Sequence, residues 1–286
     1  MMNKRKSALG VKGHSPMKDE KTGGIDSASA FGDLYPAVNT SNAGKPSRYI
    51  KVSIGVIVVL AGLTIYYFPT LDLIWRIANP QKRELPIASI LISETSTTAK
   101  SFESRLEQQL DLAPLRKHFE PQQYASYCGV ASSVIVLRAL GNTKVNQDNF
   151  FSDNTKSVRA RYDTFFGGMT LAQLGGLLRA HGATAKVIHA GDSSVQEFRE
   201  LAKTNLSQKN NFVLVNYLRK EIQQKTGGHI SPVAAYDAPS DRFLVLDVAE
   251  HKYPPVWVKT ADLFRSMNTI DSDSSKTRGF VLVEGQ

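Results

Sequence analysis

The sequence predicts an α+β domain, helical in its first half and built of antiparallel strands in its second, behind one membrane-spanning helix. Three observations carry that expectation. Residues 52–68 contain no charge. The segment after Tyr127 is apolar at helical spacing, and four short runs between Phe212 and Val283 are rich in Val, Phe and Leu.

Composition narrows the function classes. Of 286 residues, 42% are hydrophobic and 21% charged, ordinary for a globular protein. The net charge of +9 is uneven: residues 1–51 hold nine Lys or Arg against four Asp or Glu. This excess sits in a Gly/Ser/Asn-rich tail and not on a folded face. It therefore argues against a nucleic-acid partner and for a topology or membrane-surface signal. The single cysteine rules out an intrachain disulfide and any multi-cysteine zinc or iron–sulfur site.

Residues 1–48 read as a disordered basic tail. An anchor follows at 49–71, with Val52–Phe68 as its apolar run, closed by Tyr66, Tyr67 and Phe68 and by the helix breaker Pro69. Lys45, Arg48 and Lys51 precede the run closely, and Arg76, Lys82 and Arg83 follow farther off. That bias predicts a single pass with the tail inside and the catalytic domain periplasmic. Residues 72–92 read as a linker and 93–286 as the catalytic domain, with a polar helix near Ser101–Leu110. A helix is predicted from Tyr127-Cys128-Gly129 through Leu140, stopped by Gly141-Asn142. A second runs over Leu171–His181, capped by Thr170 and ended by Gly182, with His181 as a C-terminal charge. Phe212–Tyr217, His229–Tyr236, Arg242–Val248 and Gly279–Val283 read as strands. Thr260–Met267 reads as a short helix, and His189 as a strand residue.

The chemistry is concentrated in three places. Cys128 falls in the first turn of a helix, where unpaired N–H groups favour thiolate over thiol. Gly129 beside it would let a substrate carbonyl approach the backbone. His229 follows two glycines into an apolar strand. Asp247 interrupts a run that should be buried, so it requires a partner. Eighteen residues separate His229 from Asp247, the length of two adjacent antiparallel strands and the turn Ala238–Asp241. Asp247 could then fix the tautomer of His229, and His229 could draw the proton from Cys128. Cys on a helix, His on a strand and Asp on the next is the papain-like order. Gln122, six residues before Cys128, suits an oxyanion donor.

At these residues the chain resembles the phytochelatin synthase family, within the papain-like cysteine peptidase superfamily. The likeness runs from about Ser93 to Val283, through YCGVAS at 127–132, VNQDNFF at 145–151, GMTLAQLGGLL at 168–178, FVLVNYLRKE at 212–221, GGHISPVAAYD at 227–237, KYPPVWVKTADL at 252–263 and KTRGFV at 276–281. The resemblance implies a papain-like fold and glutathione as substrate. The Cys–Gly amide is cleaved through a thioester on Cys128, and glycine is released. Water then gives γ-glutamylcysteine, or a second glutathione gives a phytochelatin, in heavy-metal detoxification or glutathione turnover. Asn216 and Arg278 would hold the γ-glutamyl end. No cofactor or protein-bound metal is implied; Cd or Zn would arrive as a glutathione thiolate complex. A homodimer stays open.

Two departures shape the expected outcome. The family's plant members carry a Cys-rich C-terminal region and this sequence has one cysteine, so it resembles the short bacterial members in which hydrolysis dominates. Glu250 stands where the family usually has Arg, and its charge is expected to disfavour an anionic acceptor. A papain-like leader peptidase of the bacteriocin-exporter type shares the Gln before Cys-Gly and the later His and Asp. The KYPP and NQDNFF segments favour the first reading. A membrane-tethered thiol that merely binds metal is a third; one Cys without clustered His suits soft ions poorly.

Overall fold

The computed structural model describes residues 47–106, 110–225 and 227–285. The tail at 1–46 and part of the helix expected near Ser101–Leu110 lie outside them. The chain divides into two compact units at Val59/Leu60, and the second contains the domain described below.

The first described helix, α1, runs over Arg48–Ala78, longer than the expected anchor. Pro69 does not end it. Proline removes one backbone donor and crowds the preceding turn, but long helical flanks on both sides carry the helix through, and Thr70 Oγ1 donates to the Tyr67 carbonyl at 2.7 Å. The charge-free helical stretch therefore extends from Val52 to Leu71. α1 is long and apolar enough to cross a membrane, by length and composition.

The remaining elements are β1 (Ile92–Ser93), α2 (Thr97–Glu103), α3 (Leu112–Lys117), α4 (Cys128–Ala139), α5 (Asp153–Lys156), α6 (Arg161–Gly167), α7 (Leu171–Ala180), β2 (Thr184–His189), α8 (Val195–Leu206), β3 (Asn211–Leu218), β4 (Gly228–Asp237), β5 (Arg242–Val245), β6 (Val256–Lys259), α9 (Thr260–Met267), β7 (Ile270–Asp271), β8 (Lys276–Thr277) and β9 (Gly279–Glu284). α2 starts earlier than the polar helix expected there, because Ser96 caps it by accepting from the Ala99 N–H. α7 shows the expected start: Thr170 and Gln173 form a reciprocal capping box. Gly182 follows its end at φ +89°, a conformation that favours glycine.

Seven strands form one sheet in the order β1-β6-β5-β4-β3-β9-β2, with every neighbouring pair antiparallel. Period-two alternation sorts the strand side chains between two cores. Phe212 and Leu214 of β3 join Val130, Val134 and Leu174 on one face. Val213, Val215 and Tyr217 join Phe198, Leu263 and Met267 on the other. The molecule is α+β as expected, but its sheet is covered by helices on both faces. The strand-rich second half contributes α8 and α9 to the second layer. α8 was not apparent in the sequence, though Phe198, Ala202, Asn205 and Leu206 are its buried residues and lie on one helical face.

β3 lies between β4 and β9, with Asn216 opposite Ile230 on one side and Gly279 on the other. That register brings Asn216, His229 and Arg278 to one level across three strands. The nucleophile helix α4 packs over β4, where Ser132 Oγ donates to the Ile230 carbonyl at 3.1 Å.

Candidate active site

A cavity of about 340 Å³ opens between the start of α4 and this end of the sheet. Gln122, Cys128, Asn216, His229 and Arg278 all line it. Asp247 stands behind His229, and Gly129 is not among the lining residues. Gly129 is buried inside α4, and a Cβ there would lie 2.6 Å from Met169 Sδ. Its lack of a side chain makes room for Met169, which itself lines the cavity.

Cys128 is the first residue of α4, partly exposed. Burial pushes its thiol up. Backbone N–H groups of Ile230 and Gly129 and the charge of Arg219 pull it back only in part. Burial likewise pushes the His229 imidazole down, to about 4, with Arg219 adding to the shift and Asp247 opposing it. Both shifts favour the neutral thiol and the neutral imidazole over the ion pair.

Asp247 is fully buried, two residues beyond β5, so the strand expected to reach Val248 ends earlier. Its Oδ1 lies 2.9 Å from His229 Nε2, too oblique for a well-formed hydrogen bond. Its stronger partner is Arg219, whose Nη1 and Nη2 donate to Oδ2 and Oδ1 at 2.7 and 2.8 Å. The Ala249 N–H also donates to Oδ1, at 2.9 Å. Burial alone would raise the Asp247 pKa. His229 and Arg219 reverse this and hold the carboxyl far below the usual carboxylate range. With Nε2 turned to the carboxylate, the ring keeps its proton there, and Nδ1 is left to accept one.

Arg219 was missed in the sequence reading. It sits in the short 3₁₀ turn after β3, buried, with its guanidinium 5.1 Å from the Tyr253 ring centroid. The available signal was the one that exposed Asp247: a charge directly after an apolar strand, at FVLVNYLRKE.

Gln122 is buried, and both of its amide hydrogens are engaged. Nε2 donates to the carbonyls of Tyr124 and Ala125, each at 2.8 Å. Acting on an oxyanion would require one of these bonds to yield. Arg278 is 8% exposed, so it is not a solvated edge charge. Its Nη1 donates to the Ile270 carbonyl at 2.6 Å, its Nη2 lies 3.8 Å from Asp271, and its Nε has no partner among the described residues.

Two further placements correct the sequence reading. Glu250 does not line this cavity. It borders a separate one of about 650 Å³, with Lys82, Glu84, Glu94 and Arg116. The charge facing the Cys128 cavity from that loop is Lys252. His181 is not a charged helix terminus either. Burial lowers its pKa, and Nε2 pairs with the Phe150 carbonyl at 2.9 Å.

A family model for phytochelatin synthase matches residues 80–280. A glutathione gamma-glutamylcysteinyltransferase 1 from Lotus japonicus is 32% identical over 174 residues, which is 59% of this chain and 35% of that protein. The Arabidopsis thaliana protein of the same name is 30% identical over 59% of this chain and 36% of its own length. The glutathione gamma-glutamylcysteinyltransferase of Schizosaccharomyces pombe is 28% identical over 64% of this chain and 44% of its own. The chain thus spans between about a third and under half of the length of these relatives.

The depressed imidazole has a consequence for stability. His229 binds its proton near pH 4 when folded but near the ordinary value of about 6.5 when unfolded. Between these values the unfolded state takes up the extra proton. Stability is therefore intact above pH 6.5 and falls as the pH drops towards 4, by about 3 kcal/mol for this one group. Denaturant titrations across pH 4–7 should show that loss, and His229→Gln should flatten its slope by about one proton. An unchanged slope would show that His229 is not held neutral.

Proposed function

Because the chain belongs to the phytochelatin synthase family, we propose that it cleaves the Cys–Gly amide of glutathione through a thioester on Cys128. The observation that carries this reading is the convergence of Cys128, His229, Asn216 and Arg278 on one cavity whose charges suit the substrate. Glutathione brings two carboxylates and one ammonium. The lining offers the cations Arg278 and Lys252 and the carboxylates Asp271 and Asp273, while Arg219 is occupied by Asp247.

In this mechanism His229 Nδ1 takes the thiol proton as Sγ attacks the carbonyl carbon between cysteine and glycine. The carbonyl electron pair moves onto oxygen, beside the Cys128 N–H at the start of α4. Gln122 adds a donor if it releases Tyr124 or Ala125. The carbonyl re-forms, the C–N bond breaks, and the imidazolium returns its proton to the departing glycine nitrogen. A γ-glutamylcysteinyl thioester remains. Water, deprotonated by the same imidazole, releases γ-glutamylcysteine and restores the thiol. A second glutathione attacking through its amino group would form a phytochelatin instead. Asp247 stays ionised throughout and steadies the imidazolium. Heavy metal enters as the thiolate complex of the substrate, since the one cysteine is the nucleophile.

Hydrolysis is the favoured outcome. The basis is no longer Glu250, which lies off the cavity, but space. A cavity of about 340 Å³ is at the small end for ligand sites, about 300–1,000 Å³, which favours one bound glutathione over two. α1 serves as a single-pass anchor. The cluster Lys45, Arg48 and Lys51 favours an inside tail and a periplasmic domain.

The full chain, incubated with glutathione and analysed by mass, should give mainly glycine and γ-glutamylcysteine. Cd should raise the phytochelatin share only modestly. Cys128→Ser should abolish both products, and Glu250→Arg should leave their ratio unchanged. Mostly phytochelatin from the parent chain would overturn the account of the acceptor, and turnover by Cys128→Ser would overturn the nucleophile. A C-terminal alkaline phosphatase fusion should be active; an inactive one, with a fluorescent-protein fusion bright, would reverse the topology.

A further inference from the structure

Outside α1, the exposed large hydrophobic side chains among the described residues are Leu110, Tyr162, Phe166 and Ile270. Two of these four form a pair. Tyr162 and Phe166 lie one turn apart on α6, 72% and 39% exposed, with ring centroids 4.8 Å apart. Residues four apart share a helix face, so α6 presents a two-ring apolar face to its surroundings. Arg159 and Arg161 precede the pair, and Asp163 lies between its two rings in sequence. Nothing in the proposed chemistry uses this face.

Its place in the fold says what covers it. α6 and the end of α1 are tied to adjacent residues of one loop. The Ala125 N–H donates to the carbonyl of Ile77, in the last turn of α1, at 2.9 Å. Ser126 Oγ donates to the carbonyl of Phe165, in α6, at 2.7 Å. The Tyr124 ring stacks edge-on against Phe165 with centroids 5.2 Å apart. The exit of the long helix and the aromatic face are thus joined through Tyr124, Ala125 and Ser126.

Dimensions place this loop against the bilayer. The charge-free stretch Val52–Leu71 is twenty residues of helix, about 30 Å long, which matches the hydrocarbon core. Asp72 and Arg76, paired at 2.8 Å, mark the boundary. Ile77 lies five residues beyond Asp72, about 8 Å along the axis. The headgroup layer on each side is itself about 5–8 Å deep. The loop that holds α6 therefore sits at the height of the headgroups. Aromatic rings and arginines are the side chains that partition there.

We propose that α6 is a membrane foot: Tyr162 and Phe166 rest in the lipid headgroup layer of the bilayer that α1 crosses. The partner is a lipid surface, and the aromatic pair, not charge, is the main contact. Because Ser126, Gly167 and Gly168 line the catalytic cavity, the cavity then opens at the membrane surface, held by two points of attachment. The proposal rests on the reading of α1 as an anchor.

The single cysteine makes a direct test possible. In a full-length Cys128→Ser background, one cysteine at a time is introduced as Tyr162→Cys, Phe166→Cys, Val59→Cys or Glu200→Cys and spin-labelled. Each chain is reconstituted in phosphatidylcholine vesicles. Collision with oxygen, which partitions into lipid, is compared with collision with a water-soluble nickel chelate. Labels at 162 and 166 should show an oxygen-to-nickel ratio severalfold above that at 200 and below that at 59. A ratio at 162 and 166 equal to that at 200, with 59 in lipid, overturns the foot and leaves the anchor standing. Shielding of 162 and 166 from both reagents means a protein covers α6, and also overturns it. An aqueous label at 59 overturns the anchor and the foot together. Vesicles containing phosphatidylglycerol form a second arm, and a ratio that rises only there contradicts the assignment of the contact to the aromatic pair.

Discussion

The site depends on one buried ion pair, Asp247 with Arg219. A carboxylate with no exposed surface costs several kcal/mol unless it is paired and hydrogen-bonded. Here the guanidinium closes on it with two parallel bonds, and the Ala249 N–H supplies a third. Removing one partner of such a pair typically costs about 3–5 kcal/mol, because the other charge stays buried. The pair also joins the turn after β3 to the chain beyond β5. It thereby fixes the loop that carries Lys252 into the catalytic cavity and Glu250 away from it.

The same pair sets the state of the catalytic groups. Arg219 holds Asp247 through two hydrogen bonds, so His229 has a nearby carboxylate and a nearby cation together. With burial added, the ring stays neutral. The thiol, desolvated as well, keeps its proton despite its position at a helix start. Burial thus outweighs the helix terminus, whose influence is typically worth about 0.3–1 kcal/mol at exposed sites. The proposed nucleophile forms when substrate occupies the cavity and the proton crosses to His229 as Sγ attacks. A buried pair that exchanges a proton only in the reactive complex limits side reactions of the thiolate.

Much of this was legible in the sequence because it is local. The start of α4, the Thr170 cap of α7 and the Gly182 stop follow from short-range chemistry, and α9 spans the expected Thr260–Met267. The spacing of His229 and Asp247 also carried through, since β4 and β5 are sequential antiparallel neighbours. What was not legible depends on contacts distant along the chain. Asp247 called for a partner, but nothing local distinguished Arg219, 28 residues away, from His229. Nothing local to Gly129 shows that the space beside it is taken by Met169, forty residues on. Glu250 and Lys252 are two residues apart in an irregular loop, where no periodicity says which faces the cavity. Pro69 misled in the other direction: a local rule for ending helices gave way to the long helical flanks around it.

The central claim is that Cys128 rests as a protonated thiol beside a neutral imidazole. The sole cysteine allows it to be measured in the intact chain, by the rate of alkylation with iodoacetamide from pH 5 to 10 in the absence of substrate. The account predicts a slow reaction at pH 6 and a single rise governed by an ionisation above the ordinary thiol value of about 8.5. A fast, flat rate from pH 5 to 8, the signature of a preformed thiolate–imidazolium pair, would contradict it.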